Sequence, residues 1–84
     1  MSSSNPFNTN NVKISLDARP LLAQGIHPLE KVQQECANLN PLEIFEIITP
    51  FPPSPMIEKM ASAGFETHSE MREDGMFRTW FRKQ

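Results

Sequence analysis

Cysteine is nearly absent from this chain: Cys36 is the only one in 84 residues, so no internal disulfide can form, and a reducing compartment is expected. Basic residues are also scarce. Eight Lys and Arg stand against ten Asp and Glu, for a net charge of -2, and no Lys/Arg cluster precedes the last few residues. That excludes the electrostatic footprint of a nucleic-acid binder. No apolar run approaches the roughly 20 residues of a membrane span. Residues 1–11, rich in Ser and Asn, have neither the basic start nor the apolar core of a signal peptide, and are expected to be a disordered lead-in to a domain at 12–84. A cytoplasmic location is expected. No Gly-rich phosphate loop and no serine in a nucleophile elbow occur. A chain of this length holds one small domain, with a core but no deep active-site cavity.

What remains is strongly patterned. Val12-Lys13-Ile14-Ser15-Leu16 alternates with period two, as a half-buried strand does. Ala18 to Gly25 reads as a connection carrying two breakers, Pro20 and Gly25. From Pro28 the apolar residues Leu29, Val32, Cys36 and Leu39 recur at helical spacing, and Asn40-Pro41 stops that helix. Glu43 to Thr49 is dense in β-branched and aromatic side chains and predicts a central strand covered on both faces. Pro50 to Pro55 cannot be strand or helix interior, yet it closes on Ser54-Pro55, an N-cap followed by proline at a first helical position. Met56, Ile57, Met60 and Ala61 form the stripe of a second helix, which Gly64 ends. Two alternating segments, Phe65 to Met71 and Met76 to Arg82, flank Asp74-Gly75, a hairpin signal.

The order β-α-β-α-β-β, with right-handed crossovers, predicts an α+β fold: a two-layer α/β sandwich whose mixed four-stranded sheet carries two helices on one face. Phe45, Ile47, Phe77, Thr79 and Phe81 should face Leu29, Val32, Leu39, Ile57 and Met60 of the helices. The other face should then expose Ile44, Ile48 and Trp80, with Arg78 and Arg82 beside them. Such a patch is a candidate interface for a protein partner or for a homodimer; on the alternative, Trp80 lies flat over the sheet, screened by the stems of Arg78 and Arg82, and covers the isoleucines itself.

Gly25-Ile26-His27-Pro28-Leu29-Glu30 holds the main chemical candidates. Pro28 suits the first helical position, His27 the N-cap, and Glu30 the third position, from which a carboxylate reaches back to the cap's N–H. Both helices begin beyond the carboxyl ends of parallel strands, so both starts should face one edge of the sheet. Their free N–H groups favour an anion or acidic group there. Asp17, Arg19, His27, Glu30 and Ser54 are the candidate ligand-binding residues. On the blander alternative, Asp17 pairs with Arg19, Glu30 caps the helix and His27 fills the cap. No catalytic residue is assigned. His27, His68 and Cys36 are the only strong nitrogen or sulfur donors and are not expected to converge, so neither metal nor cofactor is expected.

Leu16-Asp17-Ala18-Arg19-Pro20-Leu21, Gly25 to Glu30, Pro50 to Pro55, Gly64-Phe65 and Asp74-Gly75, taken as an ordered set, resemble the TusA/SirA-like domains. The likeness is to the branch known as a domain of unknown function. It covers almost everything after the lead-in and implies a strand order of 1-2-4-3. In the sulfur-carrier members a cysteine precedes the proline that starts the first helix, and the family implies that this cysteine carries a persulfide. Here that position is His27, which cannot form a persulfide. The resemblance therefore implies the fold and the place of a site without sulfur-relay chemistry. It also implies partners of hemerythrin-like iron or other redox type. The favoured function class is a small binding or interaction module. The alternative is a carrier or enzyme accessory in sulfur or redox metabolism, acting through His27 and Glu30.

Overall fold

The computed structural model describes Phe7 and residues 9–84. A 3-10 turn, Thr9–Asn11, leads into strand β1, Val12–Asp17. There follow helix α1 (Arg19–Ala23), helix α2 (Leu29–Ala37), β2 (Ile44–Thr49), helix α3 (Ser54–Ser62), β3 (Glu66–Met71) and β4 (Phe77–Arg82). The four strands form a mixed sheet in the order β1-β2-β4-β3, with β1 parallel to β2 and β4 antiparallel to both of its neighbours. This is the α+β architecture and strand order expected from the sequence. No described helix is long and apolar enough to cross a membrane.

The principal core lies between the sheet and α2 and α3. Val32 and Cys36 of α2, and Met56 and Met60 of α3, close on Phe45 and Ile47 of β2 and Phe81 of β4, all fully or almost fully buried. Leu29 and Ile57 pack at its margin, as the helical spacing requires. Phe45 lies opposite Phe81 in the β2–β4 ladder, where an aromatic cross-strand pair adds to the burial of each ring. Phe77, also expected on this face, is only half-buried because it sits at the hairpin end of β4.

Two elements differ from the reading of the sequence. The Ala18–Gly25 connection contains a helical turn, α1, and the two supposed breakers are its start and stop signals. Pro20 sits in the first turn, where its missing N–H has no intrahelical partner to lose. Gly25, at φ +78°, ends the helix: the Ile26 N–H donates to Leu21 O at 2.9 Å and the Gly25 N–H to Leu22 O at 3.0 Å, a Schellman closure. The starts of α2 and α3 are also displaced by one residue. Pro28 and Pro53 occupy the cap positions, and their carbonyls accept from the N–H groups of Val32 and Ile57 at 3.0 and 2.9 Å.

The second face of the sheet is closed, which corrects the expectation of an exposed patch. Ile44 and Trp80 are 0% and 2% exposed, in a separate apolar cluster with Phe7. Ile48 is half-buried. A β-bulge between Val12 and Ile14 contributes to this closure. Simple alternation would put Val12, Ile14 and Leu16 on one face; the irregular register instead turns Val12 to the side of Ile44 and Trp80, while Ile14 and Leu16 pack on the main core. The other contribution comes from within the lead-in. Of the expected lead-in, residues 1–6 and 8 lie outside the described residues; Phe7 is buried and Thr9–Asn11 forms the 3-10 turn. Arg82 lies 4.6 Å from the Phe7 ring centroid, and the His68 ring lies 6.1 Å from it.

Burying one phenylalanine side chain contributes about 2 kcal/mol, and an Arg–ring contact adds about 0.5–1 kcal/mol. The Trp80 indole N–H is buried with no hydrogen-bond partner among the described residues.

Candidate functional site

At the carboxyl ends of β1 and β2 the chain turns into the helices, and the two helix starts meet as expected. His27 and Pro28 from the start of α2 join Thr49, Phe51, Pro53, Pro55 and Met56 to line a cleft of about 70 Å³ with mostly apolar walls. Its size matches part of one aliphatic side chain or a molecule of a few atoms. Larger depressions, of about 400 Å³ beside Lys13 and Leu42 and about 520 Å³ at the β3–β4 turn, are open grooves. They are the weaker candidates, since recognition sites are concave and apolar with a few placed polar groups.

The walls of the cleft are set by local chemistry. Thr49 is fully buried at the end of β2, and its hydroxyl donates to Phe51 O at 2.6 Å. That bond folds the chain back just after the strand and holds the Phe51 ring at the mouth, where it is 45% exposed. The prolines on either side restrict φ, so the loop is stiff without further bonding. Ile26, on the other side of His27 in sequence, is 46% exposed. Large apolar side chains left in water beside a cleft mark contact surfaces more often than isolated ones do.

His27 is exposed, and its Nδ1 accepts from the Leu29 N–H at 3.4 Å, a long bond to one of the free amides of the helix start. His27 therefore serves as a cap even though Pro28 takes the formal cap position. In the neutral ring this leaves the hydrogen on Nε2, so the site offers one N–H donor beside apolar walls.

Of the candidate ligand-binding residues, only His27 lines the cleft. Asp17 and Arg19 engage each other. The Arg19 Nε lies 2.9 and 3.1 Å from the two carboxylate oxygens, Nη2 is 2.6 Å from Oδ2, and the Arg19 N–H donates to Oδ1 at 3.0 Å. These bonds pull the Asp17 carboxyl down to about 2, while Arg19 is shifted up by the same contact. The pair leaves little charge for an outside anion. Glu30 and Ser54 are exposed in the first turns of α2 and α3, and the caps there make no side-chain hydrogen bond. The constellation inferred from the sequence thus reduces to one member. The reading missed Thr49 and Phe51, although a phenylalanine set among prolines, and so excluded from any strand, was a legible sign of an exposed apolar side chain.

Cys36 lies in the main core, fully buried, and burial pushes its thiol up to about 12. Such a group is a small hydrophobe and carries almost no thiolate at neutral pH. Among the described residues no three His, Cys, Asp or Glu side chains gather as metal ligands.

The candidate interface residues lie in a network on the other face. Arg82 makes a two-point contact with Glu66 at 3.0 and 2.6 Å, which holds the Glu66 carboxyl below and the Arg82 guanidinium above their usual ranges. Arg78 Nε forms an ion pair with Glu46 at 2.8 Å but makes no hydrogen bond among the described residues. His68 stacks on Trp80, centroids 5.7 Å apart, and its Nε2 is 3.0 Å from Glu70.

No family model matches the chain, and no match is found among curated proteins or among solved structures.

Proposed function

We propose that this protein is a small binding or protein-interaction module of TusA/SirA-like type that works through the edge at His27 without persulfide-carrier chemistry. The observation that carries this reading is the apolar cleft between the helix starts, with Phe51 exposed at its mouth and the His27 imidazole beside it. An exposed aromatic ring and a single N–H donor on a stiff proline loop favour contact with a partner's apolar side chain and a nearby carbonyl or carboxylate. Turnover would require a base with an orienting partner. His27 is instead turned to the Leu29 amide, which supports the module over the enzyme accessory. The His-Pro pairing in place of Cys-Pro, and the resemblance that gives it meaning, point to redox or iron-protein partners.

Native mass spectrometry of protein isolated from its own host, followed by binding measurements with the recovered partner, tests the proposal. Phe51→Ser and His27→Ala should each weaken that binding at least about tenfold, as expected at a contact centre, while circular dichroism stays unchanged. Retention of full affinity by both variants would place the contact elsewhere. Loss of a measurable turnover on His27→Ala would favour an enzyme.

A further inference from the structure

The apolar surface at the carboxyl edge of the sheet extends past the cleft. In the ladders, Met71 at the end of β3 stands opposite Phe77 at the start of β4, and Phe77 stands opposite Thr49, which lines the cleft. Phe77 alternates with Thr79 and Phe81, and Thr49 with Phe45 and Ile47, so the whole row points to the helix-covered side of the sheet. Four large apolar side chains are exposed among the described residues, and three of them, Ile26, Phe51 and Met71, lie at this edge. With Phe77 they form a band from the start of α2 to the hairpin of β3 and β4.

The charges left over at the two ends of the molecule differ in sign. At the carboxyl edge Arg19 is held by Asp17 and Arg72 by Asp74, at 2.6 and 3.1 Å. Glu30 in the first turn of α2 and Glu73 in the hairpin are exposed and have no ion-pair partner among the described residues. The lysines without one, Lys13 at the start of β1, Lys59 in the last turn of α3 and Lys83 after β4, lie toward the opposite end, together with Glu43.

We propose that the carboxyl edge docks a basic amphipathic helix of a partner protein, its apolar face laid from the cleft across Phe77 to Met71. This rests on the reading of the cleft as a contact site and names what fills it. The row from Thr49 to Met71 crosses two strand spacings, about 10 Å. Seven residues of α-helix rise about the same distance, so side chains at i, i+3 or i+4, and i+7 reach both ends of the row and its middle. An added strand does not fit, because the free ladder groups of this sheet run along the outer sides of β1 and β3 and not across the strand ends. Lysine or arginine flanking the apolar face meets Glu30 and Glu73, with no unpaired lysine or arginine of the described residues at this edge to oppose it.

NMR of the full chain with isotope-labelled methionine methyl groups tests the proposal, since Met71 reports the far end of the band, Met56 the cleft wall and Met60 the core. The probe is a helical peptide of about four turns, leucine on one face and lysine on the other, beside a second peptide with glutamate for lysine. The lysine peptide should shift Met71 and Met56 and leave Met60 in place, bind at least about tenfold tighter than the glutamate peptide, and weaken as salt is raised. Met71→Ser should weaken it about fivefold or more, and the residue is 69% exposed, so the fold does not depend on it. A shift of Met56 with Met71 silent overturns the proposal while leaving the cleft as a contact site. Silence of both methionines, or equal binding of the two peptides, overturns it as well. A shift of Met71 on raising the protein concentration without peptide assigns the edge to a second copy and overturns it too. Phe51→Ser is measured alongside to test the cleft itself: unchanged affinity in that variant removes the cleft as the anchor, and the proposal with it.

Discussion

Arg19 grips the carboxylate of Asp17 at two points, Nε on Oδ1 at 2.9 Å and Nη2 on Oδ2 at 2.6 Å, two residues apart at the turn from β1 into α1. Because these bonds favour the ionised carboxylate, its pKa falls from 3.8 to about 2. A carboxyl lowered on folding stabilises the protein above its unfolded pKa, and that contribution is lost as pH falls through the folded value. The pair should therefore help hold the fold at pH 5 and fail between about 4 and 2. Both groups are well exposed, so the effect is small. Asp17→Asn should flatten the acid limb of the urea midpoint against pH, and carbon-detected NMR should find the Asp17 carboxyl titrating well below the other carboxylates. Titration near the usual 3.8 would show that the grip does not persist in solution.

Cys36 should react slowly with a thiol reagent in the native state and quickly in denaturant, since its thiol is buried and raised to about 12. Cys36→Ala should cost about 1 kcal/mol, from the small space left in the core. Cys36→Ser should cost about 1–3 kcal/mol, because a hydroxyl there enters an apolar cluster. Chemical denaturation of both variants measures the difference, and a serine variant as stable as the natural chain would contradict the apolar setting.

Leu42 lies at φ +72° in the turn after α2, where the Glu43 N–H donates to Asn40 O at 3.0 Å and Pro41 precedes it. Its left-handed backbone costs a side-chain-bearing residue about 1 kcal/mol or more, and asparagine tolerates that region best after glycine. Leu42 is 57% exposed, so little packing is lost on replacement. Leu42→Asn should raise the urea midpoint, by up to about 1 kcal/mol in stability. A lower midpoint would mean that the leucine side chain contributes more than its exposure implies.

Thr49→Val removes the hydroxyl that holds the Phe51 carbonyl while keeping the shape of a fully buried side chain. A cost of about 1 kcal/mol is expected, together with faster amide exchange in residues 50–53 and unchanged protection of the β2 ladder. Exchange that speeds up equally throughout the sheet would show that Thr49 supports the core and not the loop.

The sequence by itself determined the order of the four strands and of α2 and α3, the faces of those two helices, and the buried character of β2, because each is written in local spacing. Val32 and Cys36 lie four apart on one helix face, Phe45 and Ile47 two apart on one strand face, and Gly64 marks a helix end wherever that helix docks. Tertiary structure decided what no local period encodes. The bulge at Lys13 turned Val12 to the opposite face, which depends on pairing with a strand about thirty residues away. Arg19 was captured by a carboxylate two residues before it, so a charge that read as available to a ligand is neutralised within the chain. Phe7, one aromatic ring in a polar segment, had no periodic neighbours to place it, and only the assembled sheet supplied the apolar surface of Ile44 and Trp80 on which it rests.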